Sequence, residues 1–397
     1  MPDAVAALAH LAVNVGARVT PGQTVIVNAK LGQEPLARAI AAAAYDAGAH
    51  LVDVGYSDPH VFLARMEHAP EEALGQVLPW VRRRPLDLAE VQGALISLSG
   101  PASPGLLDAV DPGRIGRDSP AVPEHMQVIA ERAISWTIVP GPTEGWARLV
   151  YPDLAGPAAL ERLWSQIAHV CRLGEDDVLA AWTARSDHLH EVAARLTAAE
   201  LDTLRFTGPG TDLTVGLLRG VRWTGGAFQT RWGQPHLPNI PTEEVFTSPD
   251  PARTHGTVAS TKPLLVAGRA VTGLRMRFQD GRAVAVDADD GAELMRELVA
   301  RDENANRLGE VALVDASGRI GPTHTVFHDT LLDENAASHI AVGAGFPLLA
   351  DDERAAEPIN HSGVHTDFMI GGPEIDVVGV TRDGREIPVL MAEQWAL

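Results

Sequence analysis

Carboxylates and histidines, the two side-chain types that together bind zinc-like divalent cations, gather in four short segments of the second half of the chain. The first is Asn239-Ile240-Pro241-Thr242-Glu243-Glu244-Val245-Phe246. Side chains alternate faces along an extended segment, so Glu243 and Glu244, lying between a proline and an apolar pair, cannot both point into solvent. For at least one of the two, an ordinary surface acid is the simpler reading. The second segment, Leu308-Gly309-Glu310-Val311-Ala312-Leu313-Val314, is an apolar strand with a glutamate near its start. Glu310 is then either an edge residue or a buried acid that needs a partner, since an unpaired buried charge is too costly to keep. Taken alone, this segment favours the edge.

The third segment is Leu331-Leu332-Asp333-Glu334-Asn335-Ala336-Ala337-Ser338-His339-Ile340-Ala341. Asp333 or Asn335 can cap a helix that begins just afterwards, with Glu334 at its mouth and His339 about one turn in. Five residues of regular helix would set those two side chains about 140° apart, so they converge only if Glu334 lies outside the helix. The fourth segment is His361-Ser362-Gly363-Val364-His365-Thr366-Asp367-Phe368-Met369-Ile370-Gly371. In an extended chain His365 and Asp367 share a face, a neutral imidazole beside a hard oxygen ligand. The same pair also fits an aspartate orienting a structural histidine. If the four segments converge, Glu244, Glu310, Glu334 and Asp367 bring four negative charges, neutral His339 and His365 bring none, and two divalent cations balance the set. Without metal such carboxylates would repel one another and hold raised pKa values.

Other chemistries lack their signatures. No strand is followed by Gly-x-Gly-x-x-Gly, and neither a Gly-x-x-x-x-Gly-Lys-Ser/Thr loop nor a Gly-x-Ser-x-Gly elbow occurs. Gly208-Pro209-Gly210 reads as a strand connector. The 397 residues carry a net charge of −20, which argues against a nucleic-acid coat or a polybasic membrane anchor. The one cysteine, Cys171, cannot form an internal disulfide, and no apolar run approaches the roughly 20 residues that span a bilayer. The N-terminus lacks the pattern of a signal peptide. These features predict a soluble, cytoplasmic protein that binds neither nucleic acid nor membrane.

The elements that must position the ligands fall into two domains, 1–200 and 201–397. In the first, β-branched or apolar runs at 24–27, 50–54, 95–98 and 136–139 alternate with helical spacing, as at Glu34 to Ala47. That alternation predicts an α/β domain with a mainly parallel sheet. From about Leu201 the strands become frequent and the turns tight. Asp280-Gly281 and Asp383-Gly384 each sit between β-prone runs, which predicts hairpins in an α+β domain that carries the metal site.

In these segments the chain resembles the thermophilic metallo-aminopeptidase family of the aminopeptidase T and aminopeptidase S type. The resemblance runs from Gly22-Gln23 and Ala47-Gly48-Ala49 through Pro241 to Thr247, Leu308 to Val314 and Thr330 to Ala336, to His365 to Gly371, nearly the whole chain. It implies a homodimer with two divalent ions per subunit (zinc, cobalt, manganese or magnesium), and removal of N-terminal residues from peptides. Carried over position by position, the ligands are Glu244, Glu310, Glu334, His339, His365 and Asp367, Glu244 being preferred to Glu243 on its spacing to Glu310. Two metals can hold a peptide's free amine, polarise the scissile carbonyl and lower the pKa of a water, with Glu243 or Glu310 as general base. The first domain is expected to cover the site and admit only short or unfolded peptides.

One position departs from the family. Seven residues after His339 its members carry a tyrosine that looks catalytic, whereas this chain has Phe346; its tyrosines, Tyr45, Tyr56 and Tyr151, all lie in the first domain. Losing one oxyanion donor can cost about 10²–10³ in turnover. Two alternatives follow: a catalytically impaired metal- or peptide-binding homologue, or a single-iron ring-cleaving dioxygenase using His339, His365 and Asp367 as a two-histidine, one-carboxylate triad. The presence of three further glutamates argues against the iron site.

Overall fold

The apolar runs of the first half become a four-stranded parallel sheet, β1 (Thr24–Lys30), β2 (Leu51–Ser57), β3 (Ala94–Ser99) and β4 (Ser135–Pro140), in the order β2-β1-β3-β4. This is a computed structural model, and it describes residues 2–118, 123–266 and 268–397. Residues Val25, Ile26 and Val27 of β1 are all buried, as expected of an inner strand of a parallel sheet. The crossover helix Glu34–Asp46 has Pro35 in its first turn and buries Leu36, Ala37, Ile40, Ala43 and Ala44, the single stripe that a 3.6-residue period produces.

The chain divides into two compact units, the first made of Met1–Ser186, Gly226–Thr242 and Phe327–Leu331, the second of Asp187–Gly225, Glu243–Val326 and Leu332–Leu397. A single cut near residue 200 would assign two segments of the first unit to the second. Hydrogen bonds over long stretches of sequence explain their return. Ile138 of β4 donates its N–H to Pro238 O (2.7 Å) and accepts from Ile240 N–H (3.0 Å), so residues 238–240 extend that sheet edge. Trp146 Nε1–H donates to Phe327 O at 2.6 Å, and the Asp329 carboxylate accepts from Gly100 N–H at 2.8 Å.

The second unit is mainly antiparallel. The strands of its two larger sheets are β5 (Leu201–Gly208), β6 (Thr211–Leu217), β7 (Glu244–Thr247), β8 (Pro249–Ala259), β9 (Arg275–Gln279), β10 (Arg282–Asp287), β11 (Leu308–Val314), β12 (His339–Gly343), β13 (His365–Met369), β14 (Asp376–Thr381), β15 (Glu386–Met391) and β16 (Gln394–Trp395). An eight-stranded sheet runs β10-β9-β8-β6-β5-β14-β15-β16, and a four-stranded sheet runs β13-β12-β11-β7. Both expected hairpins form, with Asp280-Gly281 joining β9 to β10 and Asp383-Gly384 joining β14 to β15. Leu204, Phe206, Leu213 and Val215 of the larger sheet share one core with Val245, Val311, Leu313, Ile340, Val342 and Phe368 of the smaller. The opposite face of the smaller sheet therefore remains for polar side chains. No helix among the described residues is long and apolar enough to cross a membrane.

Candidate metal centre

Strand parity decides which side chains reach that free face, and on β11 a bulge sets it. Leu308, Val311 and Leu313 all join the core, which an unbroken period of two cannot arrange. The register with β12 slips between Leu308 and Glu310, so Gly309 is an extra residue and Glu310 turns to the free face. Only glycine fits there, since a Cβ on residue 309 would stand 2.1 Å from Ala344 O. On β12, Ile340 and Val342 face the core and leave His339 and Ala341 on the free face. On β13, Phe368 faces the core and leaves His365 and Asp367. On β7, Val245 faces the core and leaves Glu244 and Phe246. Ala341 pairs with Glu310 on one side and Asp367 on the other, and Ala312 pairs with Phe246 and His339, so two alanines form a low floor between the donors.

Five of the six expected ligands fall into two trios. Glu244, Glu310 and His339 make one, and Glu310, His365 and Asp367 make the other; within each, one donor atom per residue lies within 4.8 Å of the others. Glu310 belongs to both. His339 Nε2 stands 3.0 Å from a Glu244 carboxylate oxygen, and His365 Nε2 stands 3.2 Å from Glu310 and 3.5 Å from Asp367. Glu334 is in neither trio, yet its carboxyl feels Asp367, Glu244, His339 and Glu310 most strongly after its own burial. Glu243 is fully buried and belongs to neither trio; its carboxylate accepts from Arg319 N–H at 3.2 Å. Among the described residues His339 and His365 sit in different trios, so the triad of a single-iron site does not form a group of its own.

Both imidazoles are held by backbone carbonyls. His339 Nδ1–H donates to Ala337 O at 3.1 Å and His365 Nδ1–H to Ala344 O at 2.8 Å, which leaves both Nε2 lone pairs on the carboxylate side. A lone pair facing a carboxylate oxygen at about 3 Å needs a cation between or beside them, either a proton or a metal ion. Electrostatics show the same demand. Burial pushes the Glu310 carboxyl up to about 7 and drives that of Glu334 well above its ordinary value. Burial alone would lower both histidines, but Glu244 raises His339, and Asp367 together with Glu310 raises His365, well above the usual imidazole range. Only Asp367 is lowered, by the neighbouring His365 against the effect of burial. A buried group of hard oxygens and borderline nitrogens that gathers protons suits divalent metal.

Several local expectations are corrected. The helix of the third segment ends at Glu334 (Thr330–Glu334), and His339 opens a strand, because it pairs with Ala312 of β11. Glu310 is on an inner strand, paired on both sides, not at an edge. Neither Glu243 nor Glu244 is a surface acid; both are buried. The bulge had a visible signal, a lone glycine inside an apolar strand. The carbonyls of Ala337 and Ala344 had none. Phe346 packs edge-on against His365, with ring centres 5.3 Å apart, and against Phe246 at 5.2 Å, so the position that holds tyrosine in the family borders a candidate ligand.

The chain is similar to known proteins over nearly its whole length. Aminopeptidase T of Thermus thermophilus is 40% identical over 98% of each chain, and aminopeptidase 2 of Geobacillus stearothermophilus is 38% identical over 98% of this chain and 96% of its own. The solved structure of wild-type AmpT from Thermus thermophilus matches with a TM-score of 0.90 at 40% identity, over 99% of both chains. Residues 2–395 match the sequence model of the family described as thermophilic metalloprotease (M29). The resemblance carried by the four motifs thus extends over the whole chain, which belongs to the thermophilic metalloprotease (M29) family.

Proposed function

We propose that the chain is a metal-dependent aminopeptidase that removes N-terminal residues from peptides, with Glu244, Glu310 and His339 holding one divalent ion, Glu310, His365 and Asp367 a second, and Glu334 completing the set. The observation that carries this reading is the pair of trios meeting at Glu310, each with an imidazole Nε2 turned inward by a backbone-held Nδ1. The names of the relatives, aminopeptidases from Thermus and Geobacillus, support the exopeptidase assignment. When bound, two divalent ions supply Lewis acidity to the scissile carbonyl, an anchor for the free amine and a lowered pKa for water.

The protein's own groups do the rest. Four carboxylates offset the charge of two divalent ions, so Glu310 and Glu334 no longer need the protons that burial gives them. As a donor to both ions, Glu310 has its oxygens committed to holding them. Proton transfer then falls to Glu243, which would take a proton from the attacking water and return it to the leaving amine. The low floor of Ala312 and Ala341 leaves space for the reacting peptide unit above the sheet. A dimeric assembly and the choice among zinc, cobalt, manganese and magnesium belong to the same proposal.

The test is hydrolysis of leucyl-p-nitroanilide and of its N-acetylated form after chelation, with each metal added back singly and bound metal counted. Two ions per chain and release only from the free-amine substrate are expected. One ion per chain, or equal cleavage of the acetylated substrate, would overturn the assignment. Glu243→Gln keeps an acceptor for Arg319 N–H. It should leave metal content unchanged and lower kcat by about 10²-fold or more; unchanged kcat removes Glu243 from proton transfer.

A further inference from the structure

Strands β7 and β12 flank β11 and share no ladder, so their backbones run about 10 Å apart, yet Glu244 on one and His339 on the other meet at 3.0 Å. Their ladders to β11 space the two backbones, and what remains is the placing of the side chains at this end of the sheet. The turn at residues 335–338, which carries the chain from Glu334 into β12, closes over the ends of both β7 and β11. Ser338 Oγ accepts the N–H of Val314, the last residue of β11, at 3.1 Å. Asn335 Oδ1 accepts the N–H of Glu243, the residue before β7, at 2.7 Å across 92 residues of sequence. Because that N–H requires an oxygen, the orientation of the amide is decided, and its NH₂ must face the other way. There Nδ2 lies 3.5 Å from Glu334 Oε1 as donor. Asn335 is 1% exposed, so neither end is an incidental surface contact.

We infer that Asn335 is a positioning residue for the metal centre: one buried amide ties the start of β7, and through it Glu244, to the carboxylate of Glu334, and so sets the spacing of the donors on the His339 side. This role rests on the metal-binding reading above. It needs an acceptor at one end and a donor at the other, which neither alanine nor an ionised aspartate can supply together. Outer-shell partners of metal ligands typically change metal affinity by about 10–100-fold.

Cobalt(II) titration of the metal-free protein tests it without any turnover, reading both the dissociation constant and the visible spectrum of the bound ion. Asn335→Ala should weaken binding about 10–100-fold and shift the spectrum. Glu334→Gln should do the same, and the double variant should lose less than the product of the two single losses, because part of the amide's effect passes through that carboxylate. Should Asn335→Ala fail to fold, Asn335→Asp replaces it in the cycle, since it keeps the acceptor for Glu243 N–H and loses only the donor. A folded variant with wild-type affinity and spectrum, or losses that multiply in the double variant, would overturn the positioning role. A wild-type protein that binds no cobalt would instead overturn the metal reading beneath it.

Discussion

Glu310→Gln should have two opposite effects, one without metal and one with it. In the metal-free protein, burial raises the Glu310 carboxyl from 4.5 to about 7, even against the favourable pull of His365. Folding therefore favours the protonated carboxyl. At about 1.4 kcal/mol per pH unit, the ionised form lowers folding stability by about 3 kcal/mol. The contribution is fully present below the unfolded value, is lost as pH rises through about 7, and is absent from the variant, whose amide does not titrate. Between about pH 5 and about pH 8.5, metal-free wild type should lose roughly 2–3 kcal/mol more stability than metal-free Glu310→Gln. With metal the order should reverse, because Glu310 belongs to both trios and its loss should weaken both of the proposed ions. The variant should hold fewer than two ions and gain little stability from them. Hydrogen exchange of the β11 and β12 amides reports the second unit by itself, and metal counting after dialysis gives the stoichiometry. Parallel pH curves for the two metal-free proteins, or two ions retained by the variant, would refute the reasoning.

Phe346→Tyr places a hydroxyl beside His365, and kcat should rise by up to about 10²-fold with little change in KM; a rate equal to that of wild type would remove oxyanion stabilisation from this position. Gly309→Ala drives a Cβ into Ala344 O, so the bulge should collapse, lowering stability by at least about 2 kcal/mol and releasing metal, as thermal unfolding and metal retention would show. Because Glu310, Glu334, His339 and His365 all hold protons more tightly than usual, metal binding should expel protons and weaken as pH falls through neutral. Calorimetric titration in two buffers of different ionisation enthalpy would detect those protons, and identical heats would contradict the assignment.

Much of this centre was legible in the chain. Period-two alternation in His365-Thr366-Asp367 already put those donors on one face, and β13 keeps them there. The Asp-Gly pairs announced both hairpins because the left-handed backbone they need is a local property. His339 misled for the opposite reason: the capping residues around Glu334 are compatible with a helix on either side, and only pairing with Ala312 of β11 makes its segment extended. The returns of 226–242 and 327–331 to the first unit depend likewise on hydrogen-bond partners more than 80 residues away, such as Ile138 for Asn239 and Trp146 for Phe327.

By itself, then, the sequence determined the donor types, their order along the chain, the parallel and antiparallel halves and the family, since these follow from composition, motif and local periodicity. Tertiary structure alone decided that Glu244 rather than Glu243 meets His339, that a bulge at Gly309 turns Glu310 outward, and that Glu310 stands in both trios. Those outcomes rest on register between strands far apart in the chain. A one-residue slip exchanges the two faces of a strand, and no local pattern of residues specifies which way it falls.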